Sequence, residues 1–249
     1  MTMTKKLIFS CSFILIELIF GSAGIATQDN SSNNGPYFKE EHKTINNTKY
    51  FIITPVNAHI DFEITRPSKN DENILLCVPG AYTDKTNKVD GLHICKGVVY
   101  NIEHINHSLG GGIKIINDSV EIFPTNYGKS LNDSLLKTIS NQNGIFFQQT
   151  QCIVKGVAEK FADTKLFQRR GILTLNTGGY AIVESVQPIT LNKFAEDMVN
   201  YGAKDLLNFD MGTWDEGWYR DPNINKIKVL GQMKTQTAKQ TNWVVLKRK

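Results

Sequence analysis

The chain has 249 residues, 41% apolar and 21% charged, ordinary values for a globular protein with room for one generous domain or two small ones. Its formal net charge is +4 and it holds no long basic block, which argues against nucleic acid as a partner.

The N-terminus reads as a secretory signal peptide over residues 1–26. Lys5 and Lys6 precede an apolar run from Leu7 to Phe20, and small residues follow at Gly21, Ser22, Ala23, Gly24 and Ala26. The run is short for a membrane span and contains Glu17. The expected product is an exported chain, periplasmic, secreted or at the cell surface, with no membrane attachment after cleavage. Cys77, Cys95 and Cys152 then remain. An odd count is no disulfide scaffold: it leaves buried thiols, or one Cys77–Cys95 bridge if their strands are neighbours.

Residues 27–45 are polar and rich in Asn and Ser, and read as a leader before a domain spanning 46–249. From Tyr50 the chain reads as strands. "KYFIITPVNAHIDFEIT" gives two runs broken near Pro55, and "NILLCVPGAY" is a buried strand ending at a Pro-Gly turn. "GLHICKGVVYNI" reads as a hairpin turning at Lys96-Gly97, "GGGIKIINDSVEIFP" as one turning at Asn117-Asp118, and "RRGILTLNTGGYAIVES" as a third turning over Asn176 to Gly179. A weak helix is predicted from Leu131 to Ser140. A stronger one places Leu191, Phe194, Ala195, Met198 and Val199 on one face, with Thr190 as its N-cap and Gly202 as its end. The class is α+β, mainly antiparallel sheets with a few packed helices in a single domain. The final Lys247-Arg248-Lys249 reads as a solvated tail.

The stretch "LLNFDMGTWDEGWYRD" stands apart. An apolar strand ends on a carboxylate, Asp210, and opens into glycine, aromatics and further charges. An acid at a strand end sits at a rim, fixed and partly desolvated. Gly212 allows close backbone approach. Trp214, Trp218 and Tyr219 offer flat faces for a sugar ring, and Asp215 and Glu216 offer second carboxylates of the kind glycoside cleavage needs.

Together with "VPGAYTDKTNKVDGLHICKGVVYN", "FQRRGILTL" and "ITLNKFAEDMVNYGAKD", this stretch resembles the phosphodiester glycosidase family over about Leu75 to Arg220. The family's Asn-Gly-Gly turn is Val78-Pro79-Gly80 in this chain, and its Gly-Gly-Gly-Ser run is Met211-Gly212-Thr213-Trp214. The resemblance implies hydrolysis of a sugar-1-phosphodiester, or a non-catalytic glycan or sugar-phosphate binder on the same fold. It implies Asp210 as the catalytic or C1-stabilising acid, helped by Glu216 or Asp215. Gly80, Gly212, Thr213 and Trp214 would line the substrate, with phosphate held by Arg170, Arg169 or Arg220. Arg169 and Arg170 adjoin on a strand, so only one of them faces a site. His104 and His107 lie three apart in a segment read as a loop, and the glycines at 110–112 lack the Lys-Ser/Thr of a phosphate loop, so no metal or cofactor is expected.

Overall fold

The computed structural model describes residues 37–249. The segment read as a signal peptide, residues 1–26, and the first part of the expected leader lie outside the described residues.

Among the described residues seventeen strands form three sheets, and every pairing is antiparallel. The first sheet runs in the order β1 (Phe38–Ile45), β2 (Thr48–Pro55), β13 (Tyr180–Ser185), β12 (Arg170–Leu175), β14 (Ala203–Asn208), β10 (Gln151–Val154) and β11 (Val157–Ala158). The second has β16 (Lys226–Leu230), β15 (Gly217–Asp221), β4 (Ile74–Pro79), β17 (Trp243–Arg248) and β3 (Ala58–Glu63). The third has β6 (Val98–Tyr100), β5 (His93–Cys95), β9 (Ile145–Gln149), β7 (Gly111–Ile116) and β8 (Ser119–Pro124). With two α-helices among the described residues the fold is β-rich, and α+β describes it loosely.

The hairpin turns lie where the sequence puts them. Lys96 and Gly97 take φ of 49° and 78°, and Asn117 and Asp118 take 50° and 62°, the left-handed values that tight hairpins require. Helix α1 covers Asp133–Asn141, with the Asn132 side chain accepting from the Leu135 N–H. Helix α2 covers Leu191–Tyr201, with the Thr190 hydroxyl accepting from the Lys193 N–H and Gly202 closing the end at φ 103°. Its apolar face packs Phe194 and Met198 against Tyr50, Ile52, Leu173 and Leu206 of the first sheet. Phe62, Leu76 and Val244 of the second sheet meet Ile113 and Phe147 of the third and Ile172 and Leu207 of the first in the main core.

Three sequence readings are corrected. Part of the supposed leader is strand β1, because Asn46 and Asn47 (φ 46° and 67°) fold it back along β2 and bury Phe38. "GWYRD", which the sequence reading leaves without an element and whose aromatics it offers to a sugar, is strand β15, every residue of it buried beside β4. The terminal basic residues are not a solvated tail: Lys247 pairs with Asp61 at 2.7 Å and with Glu63, and the Arg248 Nε donates to the Glu72 carbonyl at 2.9 Å. Cys77, Cys95 and Cys152 are free and buried, with Cys77 and Cys95 on different sheets. Among the described residues no helix is long and apolar enough to cross a membrane, and no group of three or more His, Cys, Asp or Glu is placed to hold a metal ion.

Candidate functional site

The three sheets meet at one carbonyl. Leaving β14, the chain pins the Phe209 N–H to the Arg170 carbonyl (2.9 Å) and the Asp210 N–H to the Gly80 carbonyl (2.9 Å). Gly80 directly follows β4, and its carbonyl also accepts from the Gln149 side-chain amide of β9 at 3.3 Å. The strand therefore ends on Asp210 where the first sheet hands over to the second, with the third sheet's Gln149 on the same oxygen. Gly80 is tightly surrounded: a Cβ there would lie 3.0 Å from Val244 Cγ2 and 3.1 Å from Asn242 Oδ1, so those side chains would have to shift.

Asp210 is 4% exposed. Its Oδ2 accepts from the Thr83 N–H at 3.1 Å. Burial pushes its carboxyl up to about 8, against the hydrogen bonds from Thr83 and Met211, and the charge of Asp90 pushes the same way. At neutral pH this acid keeps its proton.

Asp90 is a carboxylate that the sequence reading did not single out. The Asp90 N–H donates to the Tyr82 carbonyl at 2.7 Å, on the same peptide unit whose Thr83 N–H holds Asp210. One peptide thus links the Asp90 backbone to the Asp210 carboxyl, and the Asn106 amide fixes Asp90 Oδ2 at 2.9 Å. Asp90 is half-buried and lines a cavity of about 800 Å³, which Lys88, Asn101, Glu103, His104 and His107 also line. That volume suits a small-molecule ligand. No sequence signal joins Asp90 to Asp210 across their separation. The isolated bridge between Thr83 and Val89, which sets Asp90 beside the Tyr82–Thr83 peptide, is visible only in three dimensions.

The other candidates divide into neighbours of Asp210 and residues used elsewhere. Gly212 has φ 78° and opens a 3-10 turn, Gly212–Trp214, whose residues are all half-buried. The Thr213 carbonyl accepts from the Gln236 N–H at 3.0 Å, which closes this turn against the 236–240 segment.

Arg170 is fully buried, and its guanidinium is engaged through Nε and Nη2, while Nη1 has no hydrogen-bond partner among the described residues. Its Nε donates to Glu184 Oε2 at 2.6 Å, a second nitrogen reaches the same oxygen, and that nitrogen also donates to the Asp215 carbonyl at 2.9 Å. Burial pushes the Glu184 carboxyl up while Arg170 and the Gly231 N–H pull it back. A guanidinium neutralised this closely is a poor phosphate clamp.

Arg169 faces the other way, as strand alternation requires, and donates to the Ile189 carbonyl (3.2 Å) and the Lys165 carbonyl (2.9 Å). Arg220 donates to the carbonyls of Ile74, Lys69 and Asp71 at 3.4, 2.9 and 3.2 Å and so fastens the loop before β4. Glu216 pairs with Arg66 (3.1 Å) and Lys69 (3.0 Å). Asp215 is 1% exposed, and its Oδ2 accepts from the Gln232 and Met233 N–H groups, both at 3.0 Å. It holds the Gly231 turn. Trp218 and Tyr219 are core residues, 3% and 4% exposed, with no face open to a sugar. Asp210, Gly80, Gly212, Thr213 and Trp214 therefore remain in one neighbourhood, while the three arginines, Asp215 and Glu216 serve the framework.

No protein-family model matches the chain, and no curated protein sequence matches it. Solved structures do. The chain is similar to the catalytic domain of zebrafish N-acetylglucosamine-1-phosphodiester alpha-N-acetylglucosaminidase, auto-inhibited by its pro-peptide, at 11% identity and a TM-score of 0.58 over 87% of this chain and 85% of that one. A hypothetical protein from Synechocystis aligns at 9% identity and a TM-score of 0.49, over 85% of this chain and 62% of that one. At such identities the first match speaks for the fold.

Proposed function

We propose that the chain is an exported glycosidase that hydrolyses the bond between a sugar C1 and a phosphate oxygen, with the substrate entering by the cavity beside Asp90. Asp210 carries the reading: a buried carboxyl at the meeting point of three sheets, its pKa raised to about 8. A group protonated at neutral pH acts as general acid. Its proton passes to the glycosidic oxygen as the C1–O bond breaks; water then adds at C1 and gives its proton to the Asp210 carboxylate, which restores the acid. Asp90, tied to the same peptide, is the second carboxylate that stabilises the developing charge on C1.

A neutral Asp210 also removes a difficulty in the sequence-based picture. An ionised Asp210 beside a phosphate needs a cation between them, and Arg170 is held by Glu184. A protonated Asp210 needs none. Lys88, His104 and His107, on the cavity wall, are the groups proposed to meet the phosphate. The likeness to the zebrafish phosphodiester glycosidase domain supports the substrate class as far as a shared fold can.

A second reading, a glycan-binding protein without turnover, is favoured by one observation: Asp210 is 4% exposed and is not among the residues lining the cavity. A hydrolysis screen of the purified chain on sugar-1-phosphodiesters separates the two. The enzyme reading expects turnover that falls about 100-fold or more in Asp210→Asn. Saturable binding with no hydrolysis of any substrate would establish the binding protein instead.

A further inference from the structure

We infer that a second cavity, of about 530 Å³ between Tyr127 and Phe161, is a subsite for a neutral sugar ring. The inference rests on the proposed function for the ligand being part of a larger substrate. Recognition of the ring follows from the residues themselves.

Two aromatic side chains line the cavity, and the backbone beneath each is locked. Tyr127 is 57% exposed and has φ 52°, between Asn126 at 50° and Gly128 at 83°. A left-handed aromatic residue costs roughly 1–2 kcal/mol, and an exposed ring recovers little of that through core packing. The conformation is held from outside: His107 Nδ1 donates to the Tyr127 carbonyl at 2.8 Å, and the Gly128 N–H donates to the buried Thr125 hydroxyl at 3.3 Å. Phe161 is fixed by one side chain of helix α2. Asn192 Oδ1 accepts from its N–H and Asn192 Nδ2 donates to its carbonyl, both at 2.8 Å. A site whose rings are set in advance loses little freedom when it binds.

The polar groups of the cavity select the ligand. Gln151 is 5% exposed; its amide nitrogen donates to the Ile153 carbonyl at 3.1 Å, while its Oε1 has no partner. That oxygen has no surface open to the cavity, so the polar partners on the lining are Ser108, Asn126 and Thr150. Lys160, the cation on the rim, is taken by Glu196 at 2.7 Å, and Glu159 adds negative charge. Phosphate is disfavoured. Aromatic side chains with hydroxyl and amide groups beside them on the lining fit a pyranose, which offers C–H faces and hydroxyl edges. The cavity also communicates with the acid. Thr150, on its wall, has its hydroxyl 3.4 Å from the Tyr82 hydroxyl, which accepts from Asn208 Nδ2 at 3.2 Å, two residues before Asp210.

The test is an NMR titration of the Asp210→Asn chain with N-acetylglucosamine and, separately, methyl α-mannoside, repeated in Tyr127→Gly and Tyr127→Phe backgrounds. Glycine accepts the left-handed backbone, so loss of binding there does not reflect misfolding, and thermal unfolding of the variant checks this. At least one sugar is expected to shift the signals of Tyr127, Gln151 and Phe161, with affinity reduced about tenfold or more in Tyr127→Gly and retained in Tyr127→Phe. Absence of shifts at these residues with both sugars, or equal affinity in Tyr127→Gly, would overturn the inference. The hydrolase reading fails separately: sugar binding at Tyr127 with no hydrolysis by the wild-type chain sinks the reaction and spares the subsite. Hydrolysis with an unchanged KM in Tyr127→Gly does the reverse.

Discussion

Replacing Asp210 by Asn removes one titrating carboxyl and keeps its shape, so the consequence for stability can be worked out with its sign. The folded pKa, about 8, lies above the ordinary value of 3.8. The native chain therefore holds a proton that the unfolded chain has released. Stability from this group is complete below about pH 4 and is lost as pH rises through about 8. Each pH unit crossed inside that window costs about 1.4 kcal/mol. Between about pH 5 and about pH 7 the wild-type chain should lose about 2–3 kcal/mol relative to Asp210→Asn. The buried carboxyls Glu184 and Asp215, also shifted upward, are common to both proteins and cancel in the difference. Urea unfolding of both chains across this range measures it. Stability curves that run parallel with pH would refute the claim that Asp210 is buried in its protonated form.

The remaining expectations follow from the framework. Arg170→Ala leaves Glu184 buried without its partner and should cost about 3–5 kcal/mol in chemical denaturation, with affinity for phosphate esters unchanged among molecules that still fold. Gly231→Ala places a Cβ 2.1 Å from the Asp215 carbonyl oxygen at φ 84°, and should lower stability by more than about 1 kcal/mol, read as a fall in Tm. Phe194→Ala empties the contact between helix α2 and the first sheet, and should cost about 3–5 kcal/mol by the same denaturation assay.

Local chemistry was legible in the sequence. Lys96-Gly97 and Asn117-Asp118 marked their turns, and the spacing of Leu191, Phe194 and Met198, with Thr190 and Gly202 at the ends, marked helix α2. Strand β15 was not legible, because its burial on both faces removes the alternation that identifies a strand, and "GWYRD" mixes aromatics with charges. Strand β1 escaped for the opposite reason: it lies at a sheet edge, mostly exposed and polar. The fate of Arg170 was available in principle. The turn over Asn176 to Gly179 fixes the register of its hairpin and sets Arg170 directly opposite Glu184, a cross-strand ion pair. Asp210 was legible as an acid ending an apolar strand. Its protonation was not, because that depends on burial between sheets whose strands are scattered along the chain.

The pH dependence of sugar-1-phosphodiester hydrolysis by the wild-type chain tests the central claim most directly. An acid with a pKa of about 8 should give a rate that holds through neutrality and falls about tenfold per unit above about pH 8, and Asp210→Asn should lose both the rate and that limb. A wild-type rate still level at about pH 10, or an Asp210→Asn chain hydrolysing at the wild-type rate, would contradict it.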